Sequence, residues 1–414
     1  MDASHAGPSF RRSVAWLAPL VLALLAGLLL YDVRVQQSSL EGDELVHVVL
    51  TEQLRAGSYS PRGTVLMQLP QFSRYLYDRA VHYNPPLYNL LLLSVHSTLG
   101  AKLDVYLSLL SSVLCAWFVY RIARRYSAAA GATFAMLLFM ACPIVYLISC
   151  RVWAEATLAL LICAIADTCE RMGREPGRVR RGIVLWLIAL TAAAAFVKAS
   201  IVFALPGLFW LAILHAHGER RIPLLMAAVP LLVTAGWVAY VYAANYAAPP
   251  ESQPIDDRFN NPFVLALAQK PALSLFYSPF LMNPGYVLAL LAFTTRERRR
   301  ALGPYALCVF GTMAASTARG YFGATTYHTK YVSVVMPLLA VLAGVGFDTL
   351  GKELSAAIRG VARTLIVVAI AGLLAYENSV HRALWVAEVD PALYFGGERG
   401  RDAQAAQLGA RPQP

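Results

Sequence analysis

Two adjacent carboxylates, Asp43 and Glu44, stand in the stretch Gly42-Asp43-Glu44-Leu45-Val46-His47, a short way beyond the first long apolar run. Neighbouring residues on a helix diverge by about 100°, so these two cannot do the same job. One can face a cleft and take a proton as a general base. The other is then left to hold an arginine or a divalent metal ion. The plainer alternative is a solvated acidic pair at a helix start, where the helix dipole favours carboxylates.

Further polar residues sit between apolar runs. His82 opens His82-Tyr83-Asn84-Pro85-Pro86-Leu87-Tyr88 and could carry a proton or act as a ligand. The double proline there fixes a turn and starts a helix at Leu87. Tyr83 and Tyr88 suit the depth of lipid headgroups. In Ser149-Cys150-Arg151-Val152-Trp153-Ala154-Glu155, Glu155 lies just inside an apolar run. A carboxylate at that depth needs a partner, and Arg151 four residues earlier is the nearest in sequence. Lys198 separates two apolar runs and could snorkel to lipid phosphates or grip one phosphate. Arg319, Tyr321, His328, Lys330 and Tyr331 cluster before the run that holds Pro337.

These residues must be positioned by a membrane protein. Of the 414 residues 58% are hydrophobic and 14% are charged, where a soluble domain has roughly 25% charged. The net charge of +11 is no sign of nucleic acid, because the cations sit in short clusters between apolar runs and form no basic face with interleaved aromatics. Cys115, Cys142, Cys150, Cys163, Cys169 and Cys308 have no metal-ligand spacing and read as small buried hydrophobes. There is no P-loop, Gly-rich dinucleotide fingerprint, HExxH or GxSxG pattern, so no soluble nucleotide cofactor is supported. Arg11 and Arg12 precede an apolar run from Val14 to Leu30 that is long enough to be an uncleaved first span.

Apolar runs predict eleven spans, near 14–31, 104–121, 128–148, 153–170, 182–197, 200–215, 222–244, 277–293, 302–317, 331–348 and 362–377. The run 87–99 is a twelfth candidate, and the basic clusters decide against it. Those around Arg121, Arg171, Arg220, Arg296 and Lys352 join Arg11 and Arg12 on the cytoplasmic side only if 87–99 does not cross. It then becomes an interfacial helix at the outer face. Lys198 favours a hairpin over one kinked helix across 182–215. The outer face carries a 32–103 loop with short juxtamembrane helices, turns at Arg151 and Lys198, a 245–276 loop and a 318–330 loop. Residues 1–377 form one transmembrane domain, and a tail, 378–414, follows on the outer side, partly disordered.

Five elements in order resemble the GT-C glycosyltransferases, specifically the dolichyl-phosphate-mannose protein mannosyltransferase superfamily. Its bacterial relatives include the lipid A aminoarabinose transferases. The elements are Asp43-Glu44 with Glu52-Gln53-Leu54-Arg55-Ala56-Gly57; His82 with Pro85-Pro86-Leu87-Tyr88; Pro143 with Ser149-Cys150-Arg151 and Glu155; Val197-Lys198; and Lys330-Tyr331 with Met336-Pro337-Leu338-Leu339. Two positions depart from the family pattern: Lys102-Leu103-Asp104 stands where an arginine often opens the second span, and Lys330 stands where arginine usually precedes the tyrosine.

The resemblance implies an all-α polytopic fold in a bacterial inner membrane, with the N-terminus cytoplasmic and the active site periplasmic. It implies a polyprenyl-phosphate sugar as donor and a lipid, glycan or protein hydroxyl as acceptor. Asp43 matches the family's catalytic aspartate. Arg151 and Lys198 become phosphate or structural contacts, and Arg319, His328 and Lys330 fall in the loop nearest the donor. A divalent ion at Glu44 stays open. The competing class is a transporter or flippase of a lipid-linked saccharide, to which broken hairpins and intramembrane charges are suited. Against it, the charges concentrate at one face and no internal repeat is visible.

Overall fold

The computed structural model describes residues 85–99, 105–174, 179–246, 284–322 and 330–353, with Gly27, eight residues between 47 and 57, Leu365 and Val368. The predicted spans at 14–31 and 362–377, the 245–276 loop and the tail from 378 lie outside these apart from single positions. Among the described residues all regular structure is helical.

In chain order the helices are α1 (Leu87–Leu99), α2 (Val105–Tyr126), α3 (Ala129–Met140), α4 (Pro143–Ser149), α5 (Ala154–Met172), α6 (Arg181–Val197), α7 (Leu205–His215), α8 (Arg221–Tyr246), α9 (Arg296–Phe322), α10 (Lys330–Ser333) and α11 (Met336–Glu353). Two 3-10 segments, Ala199–Phe203 and Pro284–Phe293, lie among them. The predicted helix from Leu87 has the boundaries observed. It packs against α2 and α6.

Three predicted spans are broken. The run 128–148 forms two helices, because Pro143 lacks an N–H and restarts the chain as α4. Alone, the 12 residues of α3 reach about 18 Å, short of a hydrocarbon core of about 30 Å. The run 200–215 divides into a 3-10 turn and α7, which has proline in its first turn. The run 331–348 divides between α10 and α11, which has Pro337 in its first turn. By contrast, α9 starts earlier than predicted, at Arg296, inside the basic cluster.

Specific contacts fix how the helices run. Ser108 on α2 donates to the Trp153 carbonyl at 3.2 Å, Ser111 lies 3.1 Å from Thr157, and Arg125 lies 2.5 Å from Asp167. The sequence offset stays nearly constant, so α2 and α5 run parallel. Lys198 meets Glu155 at the start of α5, while a side chain on Gly173, just past its end, would meet His215. The chain therefore reverses at Lys198, as a hairpin requires. Gly303 abuts Trp210 and Gly311 faces Phe203, so α9 runs antiparallel to α7.

Buried helix α11 forms the centre, packed on α2, α3, α9 and the 284–293 segment. Phe134 and Phe347 stack with centroids 4.3 Å apart. A Cβ on Gly131 would stand 2.6 Å from the Gly344 carbonyl. Glycine at both positions lets α3 and α11 touch backbone to backbone, the close approach typical of helices packed in lipid. The outside is apolar: Leu110, Leu185, Trp186, Leu224, Leu231 and Leu290 are all exposed. Such a surface is stable against lipid tails and not against water.

The polar groups gather at two opposite ends. One holds Arg121, Arg125, Asp167, Glu170, Arg171 and His215. The other holds Arg151, Glu155 and Lys198. The basic clusters at Arg121 and Arg171 thus share an end, as the charge bias requires.

Candidate functional site

The site is built at the end of the bundle that holds Glu155. The chain leaves α4 at Ser149 and turns through Cys150 and Arg151 before α5 begins at Ala154. Trp153, the residue before α5, has an extended backbone. Arg151 therefore does not sit one helical turn below Glu155, and the helical spacing that suggested their pairing does not apply. Glu155 forms an ion pair with Lys198, at 2.5 Å from Nζ to Oε1.

Burial is nearly complete for all three. Arg151 is 2% exposed, Glu155 2% and Lys198 7%. Lys198 is not a snorkelling surface cation. Its backbone is extended between α6 and the 3-10 turn, which turns the side chain away from either helix axis and inward to Glu155. Two cations and one carboxylate so placed, away from water, interact far more strongly than they would at the surface.

A chain of hydrogen bonds and one ring contact leads from this end to His47. Ser108 donates to the Trp153 carbonyl at 3.2 Å and lies 3.3 Å from the Tyr88 hydroxyl. Tyr88 meets the His47 ring edge-on, with centroids 4.7 Å apart. The Nδ1–H of His47 donates to Asn89 Oδ1 at 2.8 Å. His47, Tyr88 and Asn89 are all buried. Tyr88 is thus an interior contact and not a headgroup anchor. Helix α1 is held by His47 and by its packing on α2 and α6.

Asp43 and Glu44 lie outside the described residues, as do His82 and His328. His47 is the nearest described residue to the acidic pair. For Arg319, Lys330 and Tyr331 the backbone is described. Helix α10, which begins with Lys330 and Tyr331, packs against α4 and α5, the helices on either side of Arg151. Helix α9 passes Phe203 at Gly311 and continues toward Arg319, about 12 Å further on. The described parts of the prediction therefore converge on one end.

One contact here was concealed in the sequence, and one was not. The His47–Asn89 bond joins residues far apart in the chain, and neither has distinctive spacing. The Lys198–Glu155 pair was open to inference, since each was a charged residue at the edge of an apolar run. Among the described residues no three His, Cys, Asp or Glu side chains gather as metal ligands. A divalent ion at Glu44 stays a sequence expectation.

No protein-family model matches the chain, and no curated protein matches it. Two solved structures of ArnT from Cupriavidus metallidurans are similar. The apo structure is 19% identical with a TM-score of 0.57, covering 87% of this chain and 63% of that one. The structure bound to undecaprenyl phosphate is 19% identical with a TM-score of 0.52, covering 89% and 72%. The chain spans under two thirds of the apo ArnT chain, and the likeness is one of fold: an all-helical membrane fold of the GT-C type.

Proposed function

We propose that this chain of GT-C-type membrane fold is a glycosyltransferase that moves one sugar from a polyprenyl phosphate to an acceptor hydroxyl. The burial of Arg151, Glu155 and Lys198 at one end of the bundle carries this reading. Fixed charges in a dry site stabilise charge that develops during reaction. The ArnT structure that shares the fold is bound to undecaprenyl phosphate, a lipid phosphate of the kind expected as leaving group.

Asp43 accepts the proton of the acceptor hydroxyl as that oxygen bonds to the anomeric carbon. The bond from that carbon to the phosphate oxygen breaks, and the lipid leaves as a monophosphate. Lys198, Arg319 and Lys330 offset the charge of the leaving phosphate, and Arg151 adds to the field. Glu155 holds Lys198 in place. A single displacement inverts the anomeric centre. Glu44, His82, His328 and Tyr331 bind substrate around these groups.

Residues 1–377 act as one transmembrane domain in a bacterial inner membrane, with the N-terminus cytoplasmic and the site periplasmic. The 32–103 segment contributes the acidic pair, and 378–414 is a tail. The polarity follows from the basic clusters, which retain the opposite end in the cytoplasm.

The test is transfer from radiolabelled polyprenyl-phosphate sugars to membrane extracts, comparing the purified protein with Asp43→Asn. Label should move with the wild type and fall by at least about a hundredfold in the variant, the usual contribution of general-base catalysis. A fully active variant would remove Asp43 from the chemistry. A wild type inert toward every donor would count against the transferase reading.

A further inference from the structure

The end of the bundle opposite Lys198 holds an arrangement that the transfer reaction does not use. Three guanidinium groups converge on one carboxylate. Asp167 Oδ1 lies 2.5 Å from Arg125, and its Oδ2 lies 3.3 Å from Arg121 and 3.2 Å from Arg171. The Asp167 side chain is 0% exposed, that of Arg125 7%, and those of Arg121 and Arg171 34% and 51%. Glu170, buried at the same end, is bonded by Tyr126 and Tyr305, so two carboxylates face three guanidinium groups. Moreover, among the described residues Arg125 Nη1 is buried with no hydrogen-bond acceptor, a donor that native interiors rarely leave unmet.

A lipid-facing stripe leads up to this cluster along α2. Leu110, Leu114 and Trp117 are exposed, and with Arg121 they follow the 4-3-4 spacing of a single helix face. Trp117 stacks with Tyr120 at 5.7 Å, and Arg121 stands 5.7 Å over the Phe118 ring. The stripe is therefore apolar along its length, aromatic near its end and cationic at its tip.

We propose that this stripe and the arginines at its tip bind one anionic glycerophospholipid of the leaflet that the basic clusters assign to the cytoplasm. An acyl chain lies along Leu110, Leu114 and Trp117. The phosphate sits on Arg121 and Arg171 and supplies the acceptor that Arg125 lacks. Guanidinium suits phosphate because its donors match the phosphate oxygens in pairs. A free phosphate ion would use the arginines and leave the apolar stripe without a role. The lipid bridges α2 and α5, which run parallel and carry the groups of the opposite end.

The test uses the full-length protein in nanodiscs of phosphatidylcholine doped with brominated phosphatidylglycerol or with brominated phosphatidylcholine. Quenching of Trp117 is isolated by subtracting the Trp117→Phe signal. Brominated phosphatidylglycerol should quench the wild type preferentially, and Arg121→Gln and Arg171→Gln should each cut that preference by about fivefold. Asp167 and Arg125 are left intact in both, so the inter-helix pair persists. If a variant fails to fold, the comparison of the two lipids on the wild type decides. Equal quenching by both lipids would overturn the proposal. So would a preference unchanged in the variants, displacement of the lipid by inorganic phosphate, or displacement by undecaprenyl phosphate at equal concentration.

Discussion

Lys198 Nζ lies 2.5 Å from Glu155 Oε1, and both side chains are buried. The pair joins the hairpin between α6 and α7 to the first turn of α5. Removing one partner strands the other charge in a medium that solvates it poorly. Lys198→Met and Glu155→Gln should each destabilise the protein by about 3–5 kcal/mol. The double variant should lose less than the sum of the two. Detergent-titration unfolding of all four proteins measures the coupling, and additive losses would contradict a direct pair.

Asp167→Asn leaves three arginines facing one another and should cost about 3–5 kcal/mol. Lys352→Ala removes the partner of Asp348, but the Lys352 side chain is 60% exposed. Its loss should cost under about 1 kcal/mol. Thermal unfolding of the two variants side by side checks this order, and an equal cost would contradict it.

Glycine substitutions should have opposite signs at two places. A Cβ on Gly131 would stand 2.6 Å from the Gly344 carbonyl and 3.1 Å from Asp348 Cβ, whereas one on Gly236 has nothing within 4 Å. Gly131→Ala forces α3 from α11 and should destabilise by about 1–3 kcal/mol. Gly236→Ala lies inside α8 and should be neutral or stabilising by up to about 1 kcal/mol. Melting temperatures of the two variants measure the difference.

His47 should behave as a positioning residue for the acidic stretch. Asn89→Leu leaves Nδ1–H of His47 without its acceptor, a loss of about 1–3 kcal/mol when buried. His47→Asn keeps an N–H at the position of Nδ1 and should retain most of the transfer rate. His47→Gln moves that N–H away and should lose it. Equal activity of the two His47 variants would contradict the role.

Much of this was readable from the chain. The Leu87 start of α1 followed from Pro85-Pro86, and the end that gathers Arg121, Arg125 and Arg171 followed from charge bias. Lys198 as a partner of Glu155 went unread because attention fell on helical spacing to Arg151, a spacing that the extended backbone at Trp153 interrupts. Asp167 and Glu170 were overlooked, although two carboxylates at the end of an apolar run needed partners. Those partners, Arg125 for Asp167 and Tyr126 and Tyr305 for Glu170, come from other helices. The breaks at Ala141 and Ala204 were concealed because hydropathy averages over proline. His47 meeting Asn89 is a tertiary contact that no local pattern announces.

In the proposed reaction sugar leaves a lipid monophosphate while Asp43 takes the acceptor's proton. The most direct measurement counts lipid product against transferred sugar, in one reaction, for the wild type and Asp43→Asn. The wild type should release one polyprenyl monophosphate per sugar transferred, and the variant almost none. Release at the wild-type rate by Asp43→Asn would contradict that reaction, as would lipid-linked sugar carried across the membrane uncleaved.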